Sequence, residues 1–197
     1  MEKYSEKELN IFRGVFLLAQ QGVSLGDITA RGIARAAGVG KATIYDYFSS
    51  KEEILVRAMV YALEKEIDAT DRRLTERHTF RDKMMYIYND IVTKVENSLS
   101  VFNFFASMGN SEKMQASFHQ PEHCRMLEAL AQHMENTIGG VIAFGRQTGE
   151  ITATDMDYIY MTVTASIFTT GKMRADKKIP SAKICENAYT MLIKALN

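Results

Sequence analysis

The sequence has no tryptophan, only two prolines and only two cysteines among its 197 residues. So few prolines leave long stretches without a helix breaker. Cys124 and Cys185 lack the spacing of a metal or redox motif, which predicts reduced thiols in the cytoplasm. No apolar run approaches the roughly 18 residues of a membrane span, and the first residues lack the apolar segment of a signal peptide. We therefore expect a cytoplasmic protein that makes no contact with a membrane.

An excess of charge is also missing. The chain carries 24 Lys and Arg against 24 Asp and Glu, and its first 57 residues carry eight against seven. Neutralisation of phosphates supplies most of the non-specific affinity of a protein for DNA. Charge alone therefore gives no indication of nucleic-acid binding, and one copy of such an N-terminal segment would hold DNA weakly. Two copies on two half-sites would offset that weakness.

Helical periodicity is what the sequence has in abundance. Apolar residues recur three and four positions apart over most of the chain, which predicts an all-α fold of about nine helices. Ser5 with Glu8, and Ser50 with Glu53, have the spacing of a capping box at a helix start. Thr29 is a third candidate N-cap. Further helices are predicted to begin near Thr79, Ser98 or Ser100, Pro121, Asp155 and Pro180.

Two short helices and a tight turn occupy residues 29–55. Gly38 breaks the first helix, and Gly40 takes the N-cap position of the second, which runs from Lys41 to Phe48. Ile44 and Phe48, four apart, are expected to face inward. Short helices joined by a turn of about 3–4 residues that contains glycine are typical of a DNA-reading helix-turn-helix. The outward face then holds Lys41, Ala42, Thr43, Tyr45 and Asp46, with Tyr47 at its edge.

The run from Ala36 to Leu55, AAGVGKATIYDYFSSKEEIL, resembles the N-terminal domain of the TetR family of bacterial transcriptional regulators. The specific match covers about the first quarter of the chain. The resemblance implies a three-helix DNA-binding domain, placed at residues 1–50, and a larger helical domain for ligand binding and dimerisation, placed at residues 51–197. No Gly, Ser or Pro linker separates the two, so we expect the fourth helix, which runs to about Leu74, to transmit movement.

The resemblance also implies which residues contact DNA. The positions that match are Thr29, Lys41, Thr43, Tyr45, Tyr47 and Lys51. Lysines can neutralise phosphates, hydroxyls can donate to phosphate oxygens, and Ala42 with Thr43 can approach base edges. Asp46 departs from the family pattern, in which His or an aromatic residue is common. Its carboxylate repels phosphate but can accept from cytosine N4, so the operator sequence stays open.

Aromatic and methionine side chains in the C-terminal part form a candidate pocket for an apolar small molecule. Methionine adapts to irregular shapes and aromatic rings offer flat surface. For any single residue, ordinary core packing is the stronger alternative. The candidates are Tyr88, Phe102, Phe105, Met108, Met126, Met134, Phe144, Tyr158, Met161 and Phe168.

Small and apolar residues on one face of the last two predicted helices form a candidate dimer interface. In the family that the chain resembles, the corresponding helices pair across a two-fold axis. Packing within one chain is an equally good interpretation. The candidates are Val163, Ser166, Ile167, Thr170, Ala188, Leu192 and Ile193.

The remaining motifs give only weak evidence for a functional site. His119, His123 and Cys124 are close in sequence, but Pro121 lies between the histidines and no fourth ligand is evident, which disfavours a metal site. Gly139, Gly140 and Gly145 lie inside an apolar helical pattern without a phosphate-loop lysine, so a close helix crossing or a kink is the better interpretation. No nucleophile–base pair is evident. We expect no catalytic group, no metal and no cofactor.

The sequence thus predicts a repressor rather than an enzyme. It would bind a palindromic operator in double-stranded DNA as a homodimer, and an unknown apolar inducer would release it. One alternative is a cytosolic helical enzyme or ligand-binding protein with a degenerate helix-turn-helix. An activator would share all the DNA-reading residues, and only a transcription assay separates it from a repressor.

Overall fold

The computed structural model describes residues 4–24, 26–96, 112–175 and 179–197. These residues form nine helices and no strand, which confirms the predicted all-α fold. The predicted aromatic helix that begins at Ser98 or Ser100 lies outside the described residues. The helices are α1 Glu6–Gln20, α2 Ala30–Ala36, α3 Lys41–Tyr47, α4 Lys51–Thr75, α5 Phe80–Glu96, α6 Glu112–Phe118, α7 Pro121–Gln147, α8 Met156–Ala175 and α9 Ser181–Leu196.

Side-chain caps start the first two helices as predicted. At α1, the Ser5 side chain accepts from the backbone N–H of Glu8, and the Glu8 carboxylate accepts from the backbone N–H of Ser5 at 2.8 Å. At α2, Oγ1 of Thr29 accepts from the backbone N–H of Gly32 at 3.0 Å. Each bond satisfies a backbone donor that the first turn of a helix leaves without an intrahelical partner.

The start of α4 differs from the prediction by one residue. Oγ of Ser50 accepts from the backbone N–H of Glu53 at 3.1 Å, as a capping box requires. The Glu53 carboxylate, however, accepts from the backbone N–H and the hydroxyl of Ser49, both at 2.7 Å, instead of from Ser50. The extended backbone of Phe48, which closes α3, leads directly into this cap. The short connection between α3 and α4 is therefore held by the Ser50 hydroxyl and by the Glu53 carboxylate of α4.

The chain divides into two compact units, and the described parts of residues 1–63 and 101–130 form the first. Its core gathers buried side chains from α1, α2, α3 and the first half of α4. The rings of Phe12 and Phe48 lie 5.9 Å apart, which ties α1 to the end of α3. The most deeply buried members are Ile11, Phe12, Val15, Ile28, Ile33, Ile44, Phe48, Ile54, Leu55, Val56, Ala58, Met59 and Val60.

The described parts of residues 64–100 and 131–197 form the second unit. Tyr88 of α5 lies at its centre, and its hydroxyl is 2.7 Å from Oγ of Ser166 in α8. At Gly145 the structure has the close helix approach predicted for this glycine segment, because a Cβ there would lie 2.8 Å from the Phe80 ring. A Cβ at Gly139 or Gly140 would meet nothing within 4 Å. None of the helices in the described ranges combines the length and the apolar character needed to cross a membrane.

Candidate DNA-binding site

The turn between α2 and α3 depends on Gly38. Its φ angle is +68°, in the left-handed region that favours glycine. The backbone N–H of the next residue, Val39, donates 3.0 Å to the carbonyl of Ala34. This bond satisfies a carbonyl at the end of α2 and turns the chain into α3. The predicted helix-turn-helix is therefore present, with α3 as the candidate recognition helix.

One face of α3 is buried and the other is open. Ile44 and Phe48 are buried, as predicted, and they fix the rotation of the helix on its core. Tyr45 is 52% exposed, and the Lys41 ammonium lies 5.8 Å from the centroid of its ring. The six predicted DNA contacts in this helix divide into four exposed and two half-buried residues. The exposed ones are Lys41, Ala42, Tyr45 and Asp46, and the half-buried ones are Thr43 and Tyr47.

The two predicted contacts outside α3 stand at helix starts. Thr29 is exposed, and its oxygen already caps α2, which leaves its hydroxyl proton to donate. Lys51 is the first residue of α4 and is half-buried. The Glu53 carboxylate lies two residues further on, so the first turn of α4 carries both a positively and a negatively charged side chain. Both residues stay predicted contacts.

Arg57 is a residue of this site that sequence reasoning missed. Its Nη2 lies 2.5 Å from Oε1 of Glu8 in α1, and its Nη1 lies 3.4 Å from Oε1 of Glu53. The guanidinium also lies 5.1 Å from the centroid of the Phe48 ring. Arg57 therefore joins α1, the end of α3 and the start of α4. The spacing of four from Glu53 was visible in the sequence, but the partner on α1 was not.

A first prediction concerns Glu53. Burial alone would raise the pKa of this carboxyl, but the donors of Ser49 and the Arg57 guanidinium hold the pKa below its usual value. The folded state thus favours the ionised form, and this stabilisation is complete above the ordinary carboxyl pKa and is lost as the pH falls through the lower folded value. We expect Glu53→Gln to lower the free energy of unfolding by about 2 kcal/mol at neutral pH.

Urea unfolding at several pH values tests this. The difference between wild type and Glu53→Gln should shrink as the solution is acidified below the carboxyl range. Glu52→Gln, at the neighbouring position of the same first turn, is the matched control and should change stability much less. A difference for Glu53→Gln that is constant from neutral to strongly acidic pH would contradict the argument.

The structure distributes the predicted pocket residues among different surroundings. Tyr88 lies in the core of the second unit, and Met126 packs against the core of the first. Phe144 lines a cavity in the second unit. Phe102, Phe105 and Met108 lie outside the described residues. The remaining four, Met134, Tyr158, Met161 and Phe168, are exposed.

The predicted dimer residues are mostly covered within one chain. Val163, Ser166 and Thr170 of α8 are buried, because this face of the helix packs towards α5 and α9. Ala188 and Leu192 of α9 are buried too. Ile167 and Ile193 are half-buried. The outward face of α8 instead carries Met161, 62% exposed, and Phe168, 75% exposed, with Met191 of α9 at 58%.

The histidine and cysteine cluster has ordinary protein partners. His123 is buried, and its Nδ1 lies 2.7 Å from the carbonyl oxygen of Ser117 and 3.2 Å from the hydroxyl of the same residue. The Cys124 thiol donates to the carbonyl of Phe118 at 3.2 Å. His119 is exposed. Among the described residues, no group of three or more His, Cys, Asp or Glu is placed to hold a metal ion.

Comparison with known proteins agrees with this geometry. The family model described as bacterial regulatory proteins, tetR family, matches residues 16–58, which contain α2, the turn and α3. Over this segment the chain is similar to the TetR family. One relative is the fatty acid metabolism regulator protein of Bacillus subtilis (strain 168), 26% identical over 137 residues. That match covers 70% of this chain and 66% of the relative, just under two thirds of its length.

Solved structures share the fold over nearly the whole chain. The transcriptional regulator FadR from Bacillus subtilis, in complex with stearoyl-CoA, superposes with a TM-score of 0.69 at 17% identity. The similarity covers 96% of this chain and 99% of FadR. A TetR-family regulator from Mesorhizobium loti MAFF303099 gives a TM-score of 0.70 at 13% identity, with 100% and 98% covered. The TetR-like architecture thus extends beyond the N-terminal segment that carries the sequence match.

Proposed function

We propose that this chain is a transcriptional repressor of the TetR family that binds a palindromic operator through α3. The observation that carries the proposal is the division of α3 into two faces. Ile44 and Phe48 anchor the helix, while Lys41, Ala42 and Tyr45 face solvent with groups suited to phosphates and base edges. The protein would place α3 in the major groove, where each base pair presents a distinct pattern of donors and acceptors.

The proposed repressor acts as a homodimer through the outward face of α8 and α9. Met161, Phe168 and Met191 leave large apolar side chains exposed there. A groove of about 190 Å³ between the two helices, lined in part by Met173 and Ile184, offers space for side chains of a second copy. A two-fold dimer presents two recognition helices to two half-sites, which matches a palindromic operator and offsets the near-neutral charge of one copy.

We expect Phe168→Asp to weaken dimerisation by about 100-fold or more. The change would place a carboxylate in an apolar contact where it has no partner, and such a charge costs several kcal/mol to bury. Sedimentation over a range of protein concentrations measures the monomer–dimer equilibrium. Leu17→Asp, at an exposed apolar residue of α1, is the control and should remain dimeric. A Phe168→Asp protein that dimerises like the wild type would contradict the proposed interface.

The proposed repressor also responds to a small-molecule inducer. Because the fold-sharing FadR structure contains stearoyl-CoA, ligands with a fatty acyl chain are the first class to test. The ligand would bind the C-terminal domain more tightly in a state whose recognition helices no longer fit successive grooves, and so release the operator. The α4 helix runs unbroken from Lys51 to Thr75, which suits it to carry such a change.

The decisive experiment identifies the operator. Genomic fragments recovered with the native protein should share a palindromic sequence, and fluorescence anisotropy on a labelled copy should give specific, salt-dependent binding. A reporter driven by the neighbouring promoter should rise when the protein is removed. A fall in the reporter would make the protein an activator. Fragments without any shared sequence would favour the alternative of a helical protein with a degenerate helix-turn-helix.

A further inference from the structure

The second unit contains a cavity of about 360 Å³ among three helices. The end of α4 supplies Leu74, the start of α5 supplies Lys83, and the second half of α7 supplies Asn136, Val141 and Phe144. Its volume is at the lower end of the range for small-molecule sites, about 300–1,000 Å³. Its wall is mixed, with apolar side chains beside amide, hydroxyl and ammonium groups. An amphipathic ligand suits such a wall better than a purely apolar one.

Lys83 is the unusual member of this lining. It is only 7% exposed, although lysine is rarely buried without a partner. Its ammonium donates to the carbonyl of Leu74 and lies 4.5 Å from the centroid of the Phe144 ring, and both of these residues also line the cavity. Burial, together with the nearby Arg77 guanidinium, lowers the pKa of Lys83. The cationic head therefore lies at the cavity wall and not in bulk solvent.

No acidic side chain in the described ranges lies within ion-pair distance of Lys83. An ammonium has three donors, and the Leu74 carbonyl uses one of them. The acidic side chain of the lining, Asp71, lies 3.3 Å from Nε2 of His133 in α7. Asp71 is thus engaged with a different partner. A buried cation without an anion is unfavourable, and an anionic ligand in the cavity would relieve it.

We propose that this cavity binds an organic anion, with a carboxylate or phosphate oxygen held by Lys83 and the apolar part packed against Phe144 and Val141. A role of this site in regulation rests on the proposed function. The site adds to that function the inference that the inducer carries a negative charge. The predicted apolar inducer would then be amphipathic. Neutral molecules of the same shape would bind more weakly, because they cannot replace the missing partner of Lys83.

Calorimetric titration of the full chain tests the proposal with decanoate, decyl phosphate, 1-decanol and inorganic phosphate. We expect decanoate or decyl phosphate to bind at least tenfold more tightly than 1-decanol. Tighter binding of decanoate assigns the site to a carboxylate, and tighter binding of decyl phosphate assigns it to a phosphate. Lys83→Met should remove this advantage and leave 1-decanol unchanged. Lys65→Met, at an exposed lysine of α4, is the matched control and should bind like the wild type.

A second pair of variants does not depend on the stability of Lys83→Met. Gly140 lines the cavity, and a Cβ added there meets nothing within 4 Å, so we expect Gly140→Leu to place its side chain in the cavity and abolish binding. Gly139→Leu, equally open but outside the lining, should retain binding. Affinity for 1-decanol equal to that for both organic anions, binding of inorganic phosphate alone, binding of none of the four probes, or unchanged organic-anion binding in Lys83→Met would each overturn the proposal.

Operator binding without ligand is measured in parallel for every variant. If the wild type binds no operator but binds decanoate through Lys83, the proposed function fails and the anion site stands. If the operator is bound normally and no anion depends on Lys83, the reverse holds. The proposed function and the proposed anion site can therefore be refuted independently of each other.

Discussion

Replacing Tyr45 and Lys51 together with alanine is expected to lower operator affinity by about 1,000-fold. In a homodimer each change acts twice, which removes four contacts. At about 1 kcal/mol for each contact the total is about 4 kcal/mol, and each 1.4 kcal/mol corresponds to a factor of ten. Fluorescence anisotropy on the labelled operator measures the effect. Tyr45 is 52% exposed and Lys51 is half-buried at a helix start, so the double variant should remain folded.

The single variants should separate the two roles. Lys51→Ala should weaken binding evenly on all sequences and reduce the slope of log affinity against log salt by about 2 for a dimer, since phosphate contacts release counterions. Tyr45→Ala should change affinity at low and high salt by a similar factor. Lys65→Ala, at an exposed lysine of α4, is the control and should leave the salt slope unchanged. Weak, salt-insensitive retention of wild type and double variant alike would instead favour a degenerate helix-turn-helix.

The helix starts and the turn of the N-terminal segment were predictable because the residues that determine them are close together in sequence. A cap such as Thr29 with the Gly32 N–H, or Ser5 with Glu8, requires residues three apart, and the sequence displays that spacing directly. The positive φ of Gly38 likewise follows from the residue type at a turn. The buried pair Ile44 and Phe48 follows from a spacing of four. These features needed no knowledge of the rest of the fold.

The faces of α8 were not predictable in the same way. Apolar residues surround this helix, so periodicity does not distinguish the side that packs within the chain from the side left open. Val163 and Ser166 fill the core, whereas Met161, two positions before Val163, and Phe168, two positions after Ser166, are exposed. A helix that is apolar all round is consistent with burial on several sides, part of it supplied by a partner. The choice between core and interface depends on the positions of α5 and α9, which the sequence does not display.

Long-range polar contacts could not be predicted from the sequence for a related reason. Arg57 and Glu8 are 49 residues apart, and only the packing of α1 on α4 brings them together. Lys83 lies in an amphipathic segment, where a lysine is expected to face solvent. The carbonyl of Leu74 and the ring of Phe144 bring it to a cavity wall instead. In both cases the partner comes from a different helix, and no local pattern marks it.

Gly14→Val is expected to lower the stability of the first unit by about 3 kcal/mol and to abolish operator binding with it. A Cβ at this position of α1 would lie 3.0 Å from the backbone nitrogen of Ala37 and 3.0 Å from the carbonyl oxygen of Ile33. Backbone atoms cannot rotate aside as a flexible side chain would, so α1 and α2 must separate, and overpacking of this kind costs up to about 3 kcal/mol. The displaced segment leads straight into the turn before α3.

Hydrogen exchange resolved by residue gives the sharpest measurement of this change. Protection should fall in α1 and α2, and it should be retained in α8 and α9, which belong to the second unit. Gly139→Val provides the matched control, because the same side chain there enters open space, and a helix tolerates valine better than glycine. If both variants lost the same stability, the close contact at Gly14 would not be the cause. If only Gly14→Val lost it, the close contact of α1 with the end of α2 would be what holds the recognition helix in position.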